Sequence, residues 1–295
     1  MDINYELYKV FFHVAKSLSF SDAANDLFIS QSAVSQSIKT LEKRLNQTLF
    51  IRSTKRVALT KEGELLLKHV EPAINLIIKG ENQLCADPKS GIQLRIGSSD
   101  TICRYYLVPF LKDFHKQYPN IHIKVTNGTS QQCATLLERN EVDIIVTNSP
   151  NPGLTDMMEI LPVKEFHDVF IANPEAFPIM DKPISLKELQ THPILMLEKR
   201  ATTSIFLHNI FLENSLDLVP SVELSSNDLL IDLAKIGLGI AFVPDFCVKE
   251  SEQLSIIPTI KKIPSRLLVV AYNKDIQISD GSRYFIECLS ANMKN

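Results

Sequence analysis

The sequence predicts an α+β, multi-domain chain: a winged helix-turn-helix, then a long linking helix, then a two-lobed α/β domain. Three observations carry this expectation. Apolar residues recur at helical spacing as far as Leu84; short β-branched runs alternate with helical stretches from Ile92 onward; and the charge is divided unevenly between the two parts. A chain of 295 residues is long enough for two or three units.

Taken along the chain, residues 4–18 put Leu7, Phe11, Val14, Ala15 and Leu18 on one helical stripe. Ser21 is read as the N-cap of a short second helix whose apolar side is Ala23, Ala24 and Leu27. The small alanines allow another helix to cross closely. The pattern breaks at Phe28-Ile29, and Ser30 is the next N-cap. Val34, Ile38, Leu41 and Leu45 then form an inward stripe that leaves Gln31, Ser32, Ser35, Gln36 and Lys39 outward. Two helices, a tight turn and a polar second helix make a helix-turn-helix. Gln and Ser suit base edges or phosphates, and Lys39 suits a phosphate. The run LFIRSTKRVALT reads as two short strands around Ser53-Thr54-Lys55-Arg56, a basic wing. The plain alternative is a helical hairpin with a solvated face.

Charge supports the wing. Residues 1–61 hold nine Lys or Arg against five acids, a balance of +4, so a chain of net −3 leaves −7 on the remainder. Phosphate attracts the first part and repels the second.

Thr60 is read as the N-cap of a helix running to about Ala86, with Leu66, Val70, Ala73, Ile77, Gly80 and Leu84 at heptad spacing. Such a seam pairs two helices or packs on the chain's own domain. Asp87-Pro88-Lys89-Ser90-Gly91 marks a hinge. Strands are expected at 94–97, 121–125, 143–147, 168–173, 194–197, 221–224, 239–243 and 267–272, with helices such as 104–117 and 226–236 between them. That alternation implies parallel sheets. Crossings between lobes are placed at Leu161-Pro162-Val163-Lys164 and near Arg266.

In GSSDT, 97–101, a strand ends where small hydroxyl residues open a helix. Free N–H groups there suit an anion, or Ser98 and Ser99 merely cap the helix. Enzyme signatures such as GxSxG, GxxxxGK[ST], HExxH and GxGxxG are missing, and the seven histidines show no metal-ligand spacing. Five dispersed cysteines without a CxxC pair fit reduced thiols in a cytoplasmic protein. No signal pattern or membrane-length apolar run is present. No catalytic residue, metal or cofactor is expected.

The stretch from Phe11 to Glu64 closely resembles the LysR-type transcriptional regulators of bacteria. The shared residues are Ala-Ala at 23–24, Leu27, SQSAVS at 30–35, Ile38, Leu-Glu at 41–42, Leu-Phe at 49–50, Arg52 and LTxxG at 59–63. Many members have Pro where Ser32 stands and Arg where Gln36 stands. The first change costs little at a helix start, whereas the second removes a charged contact and alters operator preference.

The resemblance implies three parts: a DNA-binding domain over 1–60, a dimerisation helix over 61–88 and an effector domain over 89–295. The effector domain would be similar to periplasmic binding proteins, with one lobe at about 92–162 and 267–295 and the other at about 163–266. It implies DNA contacts from Ser30, Gln31, Ser32, Ser35, Gln36, Lys39, Arg52, Lys55 and Arg56, and pairing of two copies through Leu66, Val70, Ala73, Ile77 and Leu84. It points to an effector cleft lined by Ser98, Ser99, Thr101, Thr129, Thr147, Thr202, Thr203 and Asn227. The implied partners are double-stranded DNA, a small anionic effector, further copies in a dimer or tetramer, and RNA polymerase; no membrane is implied. Effector binding would favour one lobe arrangement, and the linker helices would turn it into changed head spacing. The competing reading is a cytosolic two-lobed binding protein or enzyme whose first unit serves only assembly.

Overall fold

The computed structural model describes residues 3–52, 56–85, 93–178, 182–248 and 253–291. They fall into two compact units, one within residues 1–86 and 139–141 and the other within residues 87–138 and 142–295.

The first unit contains α1 (Tyr5–Ser17), α2 (Phe20–Leu27), α3 (Gln31–Leu45), β1 (Phe50–Arg52), β2 (Val57–Leu59) and α4 (Lys61–Cys85). Phe11, Val14, Ala23, Ala24, Val34, Ile38 and Leu41 make its core. The rings of Phe11 and Phe20 pack on Phe50 at centroid distances of 5.5 and 5.9 Å. Two expectations shift here. Leu18 leaves the α1 stripe because it is the left-handed residue that ends the helix, with φ 49°. Ser19, not Ser21, caps α2, its Oγ accepting the Asp22 N–H at 3.2 Å. The helix begins two residues earlier than expected because Phe20 joins it as an apolar first residue. Ser30 caps α3 as expected, accepting the Ala33 N–H at 3.2 Å. Between α2 and α3 a single residue, Phe28, turns left-handed at φ 54°, and this reversal is the break in the apolar pattern.

β1 and β2 pair antiparallel, Phe50 opposite Leu59 and Arg52 opposite Val57. Ser53, Thr54 and Lys55 lie outside the described residues, and so does the expected hinge at 87–91. The LTxxG run has a packing reason. Thr60 Oγ1 accepts the Gly63 N–H at 3.0 Å and donates to the Thr48 carbonyl at 2.7 Å. A Cβ on Gly63 would stand 2.2 Å from the Leu49 carbonyl oxygen.

The heptad stripe of α4 divides. Val70 and Ile74 belong to the first unit's own core, and Leu66 packs against it. Val70 is therefore withdrawn from any seam with a second helix. Ala73, Leu76, Ile77 and Leu84 stay exposed.

The second unit holds two five-stranded sheets of matching design. The first contains β3 (Gln93–Ser98), β4 (His122–Asn127), β5 (Ile144–Ser149), β6 (Met158–Phe166) and β12 (Arg266–Asn273), in the order β4-β3-β5-β12-β6. The second contains β7 (Asp168–Ala172), β8 (Ile194–Leu197), β9 (Val222–Leu224), β10 (Ile240–Pro244) and β11 (Ser255–Ile257), in the order β11-β7-β10-β8-β9. In each, four strands share one direction and one runs against them, β12 in the first sheet and β7 in the second, so the sheets are mixed rather than all parallel as expected. The antiparallel strands are those that carry the chain between the lobes. Helices cover both faces: α5 (Asp100–Ile102), a π-helical turn (Cys103–Leu107), α6 (Val108–Gln117), α7 (Ser130–Glu138) and α11 (Asp280–Ala291) in the first lobe, and α8 (Leu186–Leu189), α9 (Thr202–Glu213) and α10 (Asn227–Lys235) in the second. Alternation splits each strand between two cores. Ile144 and Val146 face one and Ile145 the other; Ile194 and Met196 likewise oppose Leu195.

The expected first crossing at 161–164 moves. β6 continues through Pro162 to Phe166, since an edge strand tolerates a missing N–H. Only His167 separates it from β7, and residues 163–166 belong to the first lobe. The return crossing is at Arg266, where β12 begins opposite Phe166. Arg266 and Asp168 form a fully buried ion pair there at 2.8 Å. Rings of Phe166 and Phe206 lie 5.4 and 4.9 Å from the guanidinium. Burial pushes the Asp168 carboxyl above its usual range while the guanidinium pulls it back.

Two outcomes follow from this packing. Gly63→Ala should lower the thermal midpoint by the equivalent of about 1–3 kcal/mol, because the new methyl meets backbone; an unchanged melt would refute the contact. Arg266→Met alone should cost about 3–5 kcal/mol by leaving Asp168 buried and unpaired, and adding Asp168→Asn should recover part of that loss in chemical denaturation. Additive losses in the double variant would contradict the pairing.

Candidate DNA-reading face and interlobe cavity

On α3 the cap and the inward stripe decide what remains outside. Gln31, Ser32, Gln36 and Lys39 are exposed, as is Ser30, whose hydroxyl also lies 2.9 Å from that of Ser32. Ser35 is half-buried and receives the Arg52 Nη1–H at 3.4 Å. Arg52 was expected to contact DNA, and its side chain is engaged within the first unit. Its guanidinium lies 4.7 Å from the centre of the Phe20 ring and 3.2 Å from Glu42 Oε2. Glu42 Oε1 also accepts the N–H groups of Leu49 and Phe50, at 2.9 and 3.3 Å. The pair Glu42–Arg52 thus ties α3 to the wing. Arg56 is exposed beyond β1.

A cavity of about 330 Å³ opens between the lobes of the second unit. The amino ends of four helical segments meet at it, those opening at Asp100, Ser130, Thr202 and Asn227. Ser99, Thr101, Thr129, Thr202, Thr203 and Asn227 stand on its wall, as expected. Ser98 and Thr147 do not. Both are fully buried, Ser98 donating to the Val146 carbonyl at 3.1 Å and Thr147 accepting from Asn151 Nδ2 at 3.1 Å. The reason is strand parity: neighbours on a strand point to opposite faces, so Ser99 and Asn148 take the positions facing the cavity. Asn148 was missed for that reason, and the same alternation could have found it. Phe246, Ile102, Leu197 and Pro244 supply apolar wall, and Asp100, Glu198 and Arg200 stand exposed at the rim.

The wall hydroxyls share one polarity. Ser99 accepts the Ile102 N–H, Thr129 that of Gln132 and Ser226 that of Leu229, at 3.3, 3.2 and 3.4 Å. Thr101, Thr202 and Thr203 accept from Asn227, Asn148 and Arg266, at 3.0, 3.2 and 3.1 Å. Where the donor is a backbone N–H or a guanidinium, as at Ser99, Thr129, Ser226 and Thr203, the O–H proton is left to donate. Together with the helix amino ends, this makes a cavity rich in donors.

Contacts across the cleft hold the lobes together. Asn148 to Thr202 and Asn227 to Thr101 are two of them. Also between the lobes, Asp228 accepts the Tyr105 hydroxyl and pairs with Arg104 at 3.1 Å. Burial first, then the bond to Asp228, pushes the Tyr105 phenol to about 12, so it stays a donor. The π-helical turn at 103–107 presents both side chains to that carboxylate. Burial also raises the thiols of Cys103, Cys133, Cys247 and Cys288, Cys133 to about 12, which leaves them poor nucleophiles at neutral pH. Among the described residues no three His, Cys, Asp or Glu side chains gather as a metal site, and no helix is long and apolar enough to cross a membrane.

Residues 5–64 match the family described as bacterial regulatory helix-turn-helix protein, lysR family, and residues 89–294 match the LysR substrate binding domain. A probable RuBisCO transcriptional regulator of Phaeodactylum tricornutum is 30% identical over 256 residues, 84% of this chain and 82% of the relative. A full-length OxyR variant from Pseudomonas aeruginosa shares the fold at TM-score 0.69 and 17% identity, over 100% of this chain and 95% of its own. The CcmR regulatory domain of Synechocystis, solved in complex with 2-PG, aligns at TM-score 0.63 and 23% identity, over 69% of this chain and 98% of its own. The chain therefore belongs to the LysR family: it is a DNA-binding transcriptional regulator with an effector-binding domain, not an enzyme.

Proposed function

We propose that this regulator reads specific DNA through the outward face of α3 and responds to a small anionic effector in the interlobe cavity. Gln31, Ser32, Ser35 and Gln36 are the base-reading groups; Lys39 and the basic wing at Lys55-Arg56 meet phosphate. Ser30 serves chiefly as the α3 cap, and Arg52 holds the wing so that the face is presented correctly.

The observation that carries the effector reading is the shared polarity of the wall hydroxyls at the helix amino ends. An oxyanion accepts from several such donors at once. The solved CcmR domain with 2-PG supports a small-molecule role for a domain of this fold. A ligand touching both lobes favours the arrangement in which both walls meet it. We further place the protein in the cytoplasm as a dimer or tetramer that acts with RNA polymerase. Ala73, Ile77 and Leu84 of α4 form the pairing surface, with Leu76 added and Val70 left to the first unit's own core.

Gln31→Ala should lower the ratio of specific to nonspecific DNA affinity by about 1–3 kcal/mol, while Lys39→Ala should weaken all duplexes alike and reduce the salt slope by about one. Fluorescence titrations of the full-length protein at several salt concentrations measure both, and an unchanged ratio in Gln31→Ala would place the reading face elsewhere.

For the cavity, dicarboxylates should raise the melting temperature and alkylammonium ions should not. Thr101→Val removes a hydroxyl that caps no helix but accepts from Asn227, so it should weaken acid binding about five- to tenfold, near 1 kcal/mol, and also lower the unliganded melt. Stabilisation by ammonium ions instead of acids would reverse the sign of the reading.

A further inference from the structure

Asn148 and Asn227 face the cavity from opposite lobes and are 8% and 6% exposed. Each amide makes one bond across the cleft, to Thr202 and Thr101 respectively. Each leaves its Oδ1 buried with no partner. Exchanging oxygen and nitrogen on either amide does not resolve this, because a threonine hydroxyl donates as readily as it accepts, and an N–H would then be stranded instead.

A buried asparagine elsewhere in the same unit behaves differently. Asn151 gives Nδ2 to the Ser130 carbonyl and to Thr147, and its Oδ1 accepts the Gly153 N–H. All of its head atoms are used. Buried polar atoms without partners are uncommon, and two of them in one cavity, one from each lobe, call for a polar group on whatever fills it.

We propose that Asn148 and Asn227 are the specificity-determining residues of the cavity, and that they select a compact acid bearing a second hydrogen-bonding group over an acid with a hydrocarbon tail. This rests on the anionic reading above. The donor hydroxyls and helix amino ends take the oxyanion, and the two amides meet the remaining polar group or groups. A hydrocarbon tail would cover both amides and leave them unpaired. Because the same amides already bridge the lobes, a ligand that completes their bonding also favours the arrangement in which those bridges form.

Calorimetric titration of the full-length protein with L-malate and L-lactate, whose hydroxyls can donate to the two amide oxygens, against butyrate and valerate, tests this. The first two acids should bind at least tenfold more tightly than the second two. Asn148→Leu and Asn227→Leu, similar in volume, should each erase that preference by weakening malate while leaving butyrate unchanged or tighter. Asn148→Asp and Asn227→Asp keep the shape and add a carboxylate, so they should weaken every acid at neutral pH; they decide the matter if a leucine variant melts abnormally. Equal binding of all four acids by the wild type, or a normally melting leucine variant that keeps its preference, would overturn the assignment while leaving anion binding intact. Unchanged malate affinity in both aspartate variants would overturn it too. Failure of every acid to bind would remove the anionic reading itself, and this inference with it.

Discussion

The buried pair of Arg266 and Asp168 is the constraint on which the effector domain depends. Each residue opens a strand at a crossing between lobes, so one ion pair joins β12 of the first sheet to β7 of the second. A charge buried this deeply is tolerable only when paired, which ties the two crossings to one geometry. The same guanidinium reaches Thr203 at the start of α9 and so locates a cavity wall from beneath. Hinge and cavity are therefore one assembly: whatever alters the cleft bears on the residue that holds the crossings.

The cavity draws its chemistry from ordinary fold-making contacts. Ser99, Thr129 and Ser226 cap helices, and in capping they become oriented donors toward the space between lobes. Capping and recognition are thus not alternatives at these positions, because accepting a helix N–H leaves the hydroxyl proton available. Elsewhere between the lobes charge is used instead, Asp228 taking Arg104 and Tyr105 from the facing lobe. Asn148 and Asn227 are the cavity groups with unfinished bonding.

In the first unit, Glu42 has the comparable part. It accepts two backbone N–H groups at the start of the wing and pairs with Arg52, which also covers Phe20. The outward face of α3 is held by this network and by the close approach of Gly63 to Leu49. The exposed polar row is consequently presented on a rigid support.

The sequence by itself determined the order of parts: the helical stripes, the α3 cap at Ser30, the wing, the long helix and the alternating second half. These are local matters of spacing and capping, and local chemistry decides them. It also made Gln31, Ser32, Gln36 and Lys39 outward-facing, because a helix stripe fixes both of its sides. Tertiary structure decided what depends on distant partners. Val70 looked like a seam residue until α4 met its own domain, and Arg52 looked free until Glu42 and Phe20 claimed it. Pro162 read as part of a crossing between lobes, but an edge strand does not need its N–H. Thr147 and Asn148 are adjacent and equally polar; only the placement of β5 between β3 and β12, with cores on both faces, sent one inward and the other to the cleft.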